Sequence, residues 1–216
     1  VTMPSQGLSL ETRFGPRSSG ILAHVTSLPG ALPTGDFGGA KRFIDRLADS
    51  GQGWWQMLPL SPLGRGDSPY SSDSAFAIEP LLVDVRQQKK ARLLDKTMGH
   101  YQKSRTVRAA DWQASFAQAQ RRKLLQSQDF RKFSRNNAWL RDYALFRVAC
   151  ERFGSARWHE WPAEIAHREK AALHRLKRDA QDHFDFVCFQ QFTAWRQWTE
   201  VRQYAKSRGV RLMGDI

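Results

Sequence analysis

The chain has 216 residues, is 41% hydrophobic, and carries a formal charge of +13 with a mean hydropathy of −0.59. That is a soluble globular composition for one large domain, and no apolar run approaches the roughly 18 residues of a membrane span. The charge invites a nucleic-acid reading, but it is segregated: Arg86–Arg135 holds 14 Lys and Arg against three Asp, so eleven of the thirteen net charges lie in one segment.

Residues 1–16 lack a basic-then-apolar signal pattern and read as a leader. Gly20–Val25 is a short apolar run closed by Ser27-Leu28-Pro29-Gly30, the pattern of a strand buried on both faces. After a loop containing Asp36, Phe43, Ile44, Leu47 and Ala48 recur at helical spacing, and Gly51 stands where a C-terminal cap belongs. Trp54–Leu60 is a second strand, so the opening reads as a βαβ unit with a parallel sheet. Gly66–Ala77 is too long and too rich in Ser, Gly and Pro for a hairpin turn. Its hydroxyls, carboxylates and two rings, Tyr70 and Phe76, are the groups that hold a sugar. Rings cover the apolar face of a pyranose, and hydroxyls and carboxylates bond its OH groups.

Leu81–Val85 fits a strand or a short ordered segment. Arg86–Arg135 reads as an exposed helical insertion, and Asn136–Phe153 as a helix stopped by Gly154. Trp158, Trp161 and Pro162 form an aromatic turn, and Ala163–Ser207 reads as two helices parted near Asp179–Asp185. Val210–Ile216 closes the chain as a strand carrying Asp215. Strand, helix, strand, helical insertion, long helices and strand is the opening of an α/β barrel or a doubly wound sheet. Asp36, Asp67 and Asp215 then lie at or beyond C-terminal strand ends, where α/β folds keep their sites. Of the eight tryptophans, Trp54 and Trp55 adjoin the central loop and could wall a sugar cleft, whereas Trp139, Trp195 and Trp198 read as core.

Other chemistries find little support. The six histidines show no metal-ligand spacing, and Gly64-Arg65-Gly66 lacks the third glycine and the lysine of a nucleotide loop, so no metal or cofactor is expected. Arg65-Gly66-Asp67 spells an adhesion tripeptide, a string that recurs by chance. Cys150 and Cys188 read as buried thiols of a reducing, cytoplasmic compartment. The basic segment, with Tyr101, Phe130 and Phe133, could contact RNA phosphates and stack bases; a solvated helical face is the preferred reading.

Gly20–Gly30, Gly51–Leu60 and Gly66–Ala77, followed in order by Tyr143–Phe146, Trp158–Pro162 and Gly209–Ile216, resemble the 4-α-glucanotransferases, or amylomaltases, from Arg17 onward. The basic insertion is the least similar part. The resemblance implies an α/β fold, the first three strands of a (β/α)₈ barrel with a helical subdomain inserted after the second strand. The expected units are 17–85 (strands and sugar loop), 86–165 (helical insertion) and 166–216 (long helices and third strand). It also implies transfer of α-1,4-glucan segments between oligosaccharides with retention. Tyr70 would line the donor side with Ser68 nearby, Asp215 would bind sugar hydroxyls, and Asp67 would shape the loop.

In that family the catalytic carboxylates lie on later strands, so no catalytic residue is assigned to this chain. A retaining mechanism needs two carboxylates about 5 Å apart. The expectation is an N-terminal part of a longer enzyme, inactive alone, with an incomplete barrel. The alternatives are a non-catalytic glucan-binding or regulatory remnant, and a nucleic-acid binder acting through residues 86–135.

Overall fold

The computed structural model describes residues 17–29, 34–64, 66, 68–90 and 105–215. Three short strands, β1 (Gly20–Leu22), β2 (Trp54–Gln56) and β3 (Arg211–Met213), pair in parallel in the order β1-β2-β3. Ile21, Trp55 and Leu212 align across the sheet, as do Leu22, Gln56 and Met213. Pairing runs a residue beyond the strands at one end, where Ala23 N donates to Gln56 O and Met57 N to Met213 O. Pro59 carries no N–H for a ladder, so the apolar run Trp54–Leu60 pairs only in its first part.

The helix α1 (Phe37–Asp49) crosses between β1 and β2, as the βαβ pattern predicts. Its N-cap is Asp36, whose carboxylate accepts from the N–H groups of Gly38 (3.0 Å) and Gly39 (3.2 Å). Asp36 is therefore a buried cap, paired also with Arg86, rather than a site residue at a strand end. Gly51 (φ +72°) follows the helix in the left-handed conformation that glycine adopts without steric cost.

After a 3₁₀ turn at Pro80–Leu82, in place of the strand allowed there, come α2 (Val85–Lys90), α3 (Arg105–Arg121), α4 (Gln128–Asn136) and α5 (Trp139–Phe153). A further 3₁₀ turn at Trp158–Glu160 leads to α6 (Ala163–Ala166), α7 (Lys170–Asp179) and α8 (Gln181–Ser207). The predicted break in the long helical stretch falls at Ala180, and α6 is separated as well.

The 27 residues of α8 span about 40 Å and organise the interior. One end packs with α1 and the sheet, where Val201 and Ala205 meet Ile44, Leu47 and the fully buried Trp55. Its middle meets α3, where Phe189 contacts Trp112 and Phe116. Its first half packs on α5 and α7 through Phe184, Val187 and Phe192.

Two expectations about burial are corrected. β1 is not buried on both faces: Ile21, on the face shared with Trp55, is 42% exposed because β1 lies at the sheet edge, and Leu22, on the face opposite α1, is 58% exposed. Nor is the basic segment simply exposed. Trp112, Phe116 and Ala119 of α3 and Phe133 of α4 are buried, while Arg121, Arg131, Lys132 and Arg135 of the same two helices are exposed.

Candidate functional site

The loop between β2 and the Pro80 turn is a built structure. Leu63 and Ser72 form an antiparallel bridge, and Gly64 N donates to Ser71 O at 2.6 Å. A Cβ at Gly64 would stand 2.6 Å from Ser71 O, so the close approach requires glycine. Ser72 Oγ donates toward Pro62 O (2.7 Å), and Ser74 Oγ accepts from the N–H groups of Phe76 and Ala77. These serines, legible only as polar residues in the sequence, fold the loop back on itself.

Two buried glutamines of α8 anchor the segment that follows. Gln191 accepts from Ile78 N (2.8 Å) and donates to Ile78 O (2.9 Å). Gln197 does the same at Asp84, with 2.7 and 2.9 Å. Each side-chain amide satisfies both backbone groups of one residue, six positions apart on both elements. The exit of the loop is thereby fixed in register against the helix. Nothing in the apolar stripe of α8 marks these clips; two glutamines within a run of buried positions are the only sequence signal.

Tyr70 and Asp215 converge across this frame. The Tyr70 hydroxyl donates to Asp215 Oδ2 at 2.7 Å, joining the loop to the segment just after β3. Tyr70 is 57% exposed, and the Asp215 bond holds its phenol above the usual tyrosine range. Ser68 lies beside them, exposed, its Oγ 3.4 Å from Tyr70 N and its carbonyl accepting from Ser71 N. Asp67 lies outside the described residues.

Asp215 opens onto a cleft of about 430 Å³ between the end of the sheet, the loop exit and α8. Its walls include Phe76, Trp139, Trp195 and Trp198, with Gln191 and Asn137 as polar groups. Phe76 is 68% exposed and stacks near Trp139 at 6.3 Å and 17° between planes. Trp195 is 38% exposed and rests on Phe133 and Phe192. Among the described residues, Asp215 is the one carboxylate lining this cleft.

The tryptophan assignments change in part. Trp55 is fully buried, with its indole N–H on Ala23 O. Trp54 lies on the other sheet face under the Arg211 guanidinium, 4.0 Å from the ring centre. Neither walls the cleft; Trp139, Trp195 and Trp198 pack on core residues, as read, and also line it. The reason is geometric: an i, i+3, i+4 stripe marks a helix face that is covered, but not whether a neighbour or a cleft covers each turn.

Of the two cysteines read as buried, Cys188 is buried and Cys150 only half-buried. Both are free, and burial pushes the Cys188 thiol up to about 12 and the Cys150 thiol above its usual value, so neither is an activated nucleophile. Among the described residues no group of three His, Cys, Asp or Glu side chains could hold a metal ion, and no helix is long and apolar enough to cross a membrane.

Comparison with known proteins places the chain in a family. The sequence profile of the 4-alpha-glucanotransferase family matches residues 23–216. The chain is 38% identical to the 4-alpha-glucanotransferase of Synechocystis sp. over 218 residues, and 38% identical to that of Aquifex aeolicus over 212. Each match covers 93% of this chain and 42% of the relative, so the chain spans about two fifths of the relatives' length. Among solved structures, the amylomaltase from Streptococcus agalactiae in complex with acarbose superposes with a TM-score of 0.83 at 29% identity, over 93% of this chain and 43% of that one. The three-stranded parallel sheet with its helices is accordingly an amylomaltase-like fold, consistent with part of a barrel. Matched over residues 23–216, the chain belongs to the 4-alpha-glucanotransferase family.

Proposed function

We propose that this chain supplies the N-terminal, glucan-binding part of an enzyme that transfers α-1,4-glucan segments between maltooligosaccharides with retention. In this reading β1 to β3 are the first strands of a (β/α)₈ barrel. Residues 17–85 and 166–216 build the barrel side, and 86–165 form a helical subdomain inserted after the second strand. The observation that carries the reading is the Tyr70–Asp215 bond at the mouth of an aromatic cleft. Rings on several sides and hydroxyl and carboxylate groups at the rim suit a ligand with apolar faces and polar edges, which describes a pyranose. Tyr70 and Asp215 meet sugar hydroxyls, Ser68 extends that polar rim, and Asp67 shapes the loop. Phe76, Trp139 and Trp195 offer ring surface to successive glucose units.

Chemistry does not follow from this cleft alone. Retaining transfer needs a nucleophilic carboxylate and an acid/base carboxylate about 5 Å apart. The cleft presents Asp215 alone among the described residues, engaged by Tyr70. The chain by itself is therefore read as binding glucan without transferring it, which is also what a binding or regulatory role would look like. Free cysteines support a reducing compartment, read as cytoplasmic. The nucleic-acid alternative loses one of its stacking rings: Phe133 is 1% exposed and cannot stack on a base.

The test is incubation with maltotriose, followed by chromatography of the products and a maltoheptaose titration read by tryptophan fluorescence. Saturable binding with no redistribution of chain lengths is expected. Robust disproportionation would overturn the view that the reacting carboxylates lie elsewhere, and no binding at millimolar maltoheptaose would overturn the glucan assignment.

A further inference from the structure

A second concavity of about 370 Å³ opens among α5, α6 and α7, on the helical part of the molecule. It shares α5 with the cleft but no lining residue. Its floor is apolar, with Leu145, Ile165 and Leu176 buried. Trp158 forms part of the wall and is 58% exposed, an unusual state for the largest apolar ring. At the lip Arg168 pairs with Asp142 at 2.8 Å, both side chains more than half exposed.

Arg168 is the odd member. It sits just past the end of α6 at φ +60°, where the turn is closed by Arg168 N on Ile165 O and Glu169 N on Glu164 O. Glycine is the residue this left-handed position favours. An arginine there strains the backbone, and an exposed ion pair returns little stability. Stability therefore does not account for the residue. What the arginine adds is a guanidinium held over the concavity beside a carboxylate, next to an exposed indole.

We propose that this concavity is a second carbohydrate site, separate from the cleft, that takes a segment of α-1,4-glucan. The pyranose face lies on Trp158, Asp142 accepts hydrogen bonds from adjacent sugar hydroxyls, and the Arg168 guanidinium donates to their oxygens. A ring beside paired donors and acceptors matches a ligand that is apolar on its faces and hydroxylated around its edge. The charged lip disfavours a purely apolar occupant. Two sites joined through α5 would let one polymer engage both, raising apparent affinity for long glucans over short ones. The location rests on this concavity alone; the choice of glucan as ligand rests on the function proposed above.

The test is a titration with maltoheptaose followed by the indole N–H signals of ¹⁵N-labelled protein. Trp158 and Trp161 report this site, and Trp139 and Trp195 report the cleft. Both pairs are expected to move saturably. Arg168→Gly is expected to weaken the movement at Trp158 and Trp161 about fivefold or more, leave the cleft signals alone, and keep the unfolding midpoint at or above that of the parent, since glycine suits the turn. Trp158→Ala, at an exposed position, is expected to silence Trp161. Stationary Trp158 and Trp161 signals while the cleft signals move would overturn this site and leave the cleft reading standing. The reverse pattern would sustain this site and overturn the cleft. If all four stay fixed, both fall. Unchanged movement at Trp158 in Arg168→Gly would also overturn the site.

Discussion

The sheet side and the helical side of this molecule divide the labour of a binding site differently from how their residue types suggest. The sheet side contributes positions. Its three-residue strands carry the Gly66–Ala77 loop and Asp215 at their ends, and its two tryptophans are structural, one in the core and one beneath Arg211. The helical side contributes surface. Trp139 at the start of α5 and Trp195 and Trp198 in α8 supply the rings of the cleft, and Gln191 holds the loop exit against them. Polar residues in an irregular loop announce a site, while the walls it uses can come from helices more than a hundred residues later.

The largest expected effect tests the structural half of that contrast. Trp55→Ala removes a fully buried ring packed edge-on against Phe43 and should cost about 3–5 kcal/mol in denaturant unfolding. A loss under about 1 kcal/mol would mean that Trp55 is not the core residue described.

Gln191→Leu comes next. It removes both bonds to Ile78 and leaves a partly buried N–H and C=O without them, at a cost of about 1–3 kcal/mol. Because the clip fixes the loop exit, maltoheptaose affinity should fall in the same variant. A stability loss with affinity intact would separate the clip from the cleft.

Charge at the start of α1 gives a smaller effect with a defined sign. Burial first, and then the neighbouring Asp84, raise the pKa of Asp36, with the Gly38 and Gly39 N–H groups and Arg86 opposing. For a raised carboxyl pKa, the folded state is favoured at acid pH, and that contribution is lost as pH rises through the folded value. Asp36→Asn, which keeps a cap acceptor, should therefore equal or exceed the parent in stability at pH 7, the difference shrinking as pH falls below the usual aspartate range. Asp36→Ala should lose about 1 kcal/mol from the missing cap. An asparagine variant as unstable as the alanine one would contradict this account.

The smallest effect concerns the rim. Tyr70→Phe keeps the ring and loses the bond to Asp215, so affinity for maltoheptaose should weaken by about threefold with only a small loss of stability at this exposed position. The raised phenol pKa sets the pH dependence: the bond's contribution is complete below the ordinary tyrosine range and is lost as pH rises through the higher folded value.

Much of this was legible in the sequence for identifiable reasons. Gly51, Gly154 and Gly209 end helices at positive φ as glycines should, and apolar runs bounded by turn residues gave the three parallel strands. Tyr70 and Asp215 stand 145 residues apart in the sequence, each marked by its own motif, and the fold brings them within hydrogen-bonding distance. The roles of the tryptophans were not legible, because helical spacing is the same whether the facing surface is a packed helix or a cleft. The packing of α3 and α4 was hidden by the charge of the segment, which drew attention to its cations although Trp112, Phe116 and Phe133 are buried.

The most direct measurement compares one ring from each side. Maltoheptaose is titrated into the parent chain, Trp195→Ala and Trp54→Ala, with affinity read by calorimetry. Weakening of about tenfold in Trp195→Ala, with Trp54→Ala close to the parent, is the expected result. Equal affinity for the parent and Trp195→Ala, or a loss confined to Trp54→Ala, would contradict the cleft described here.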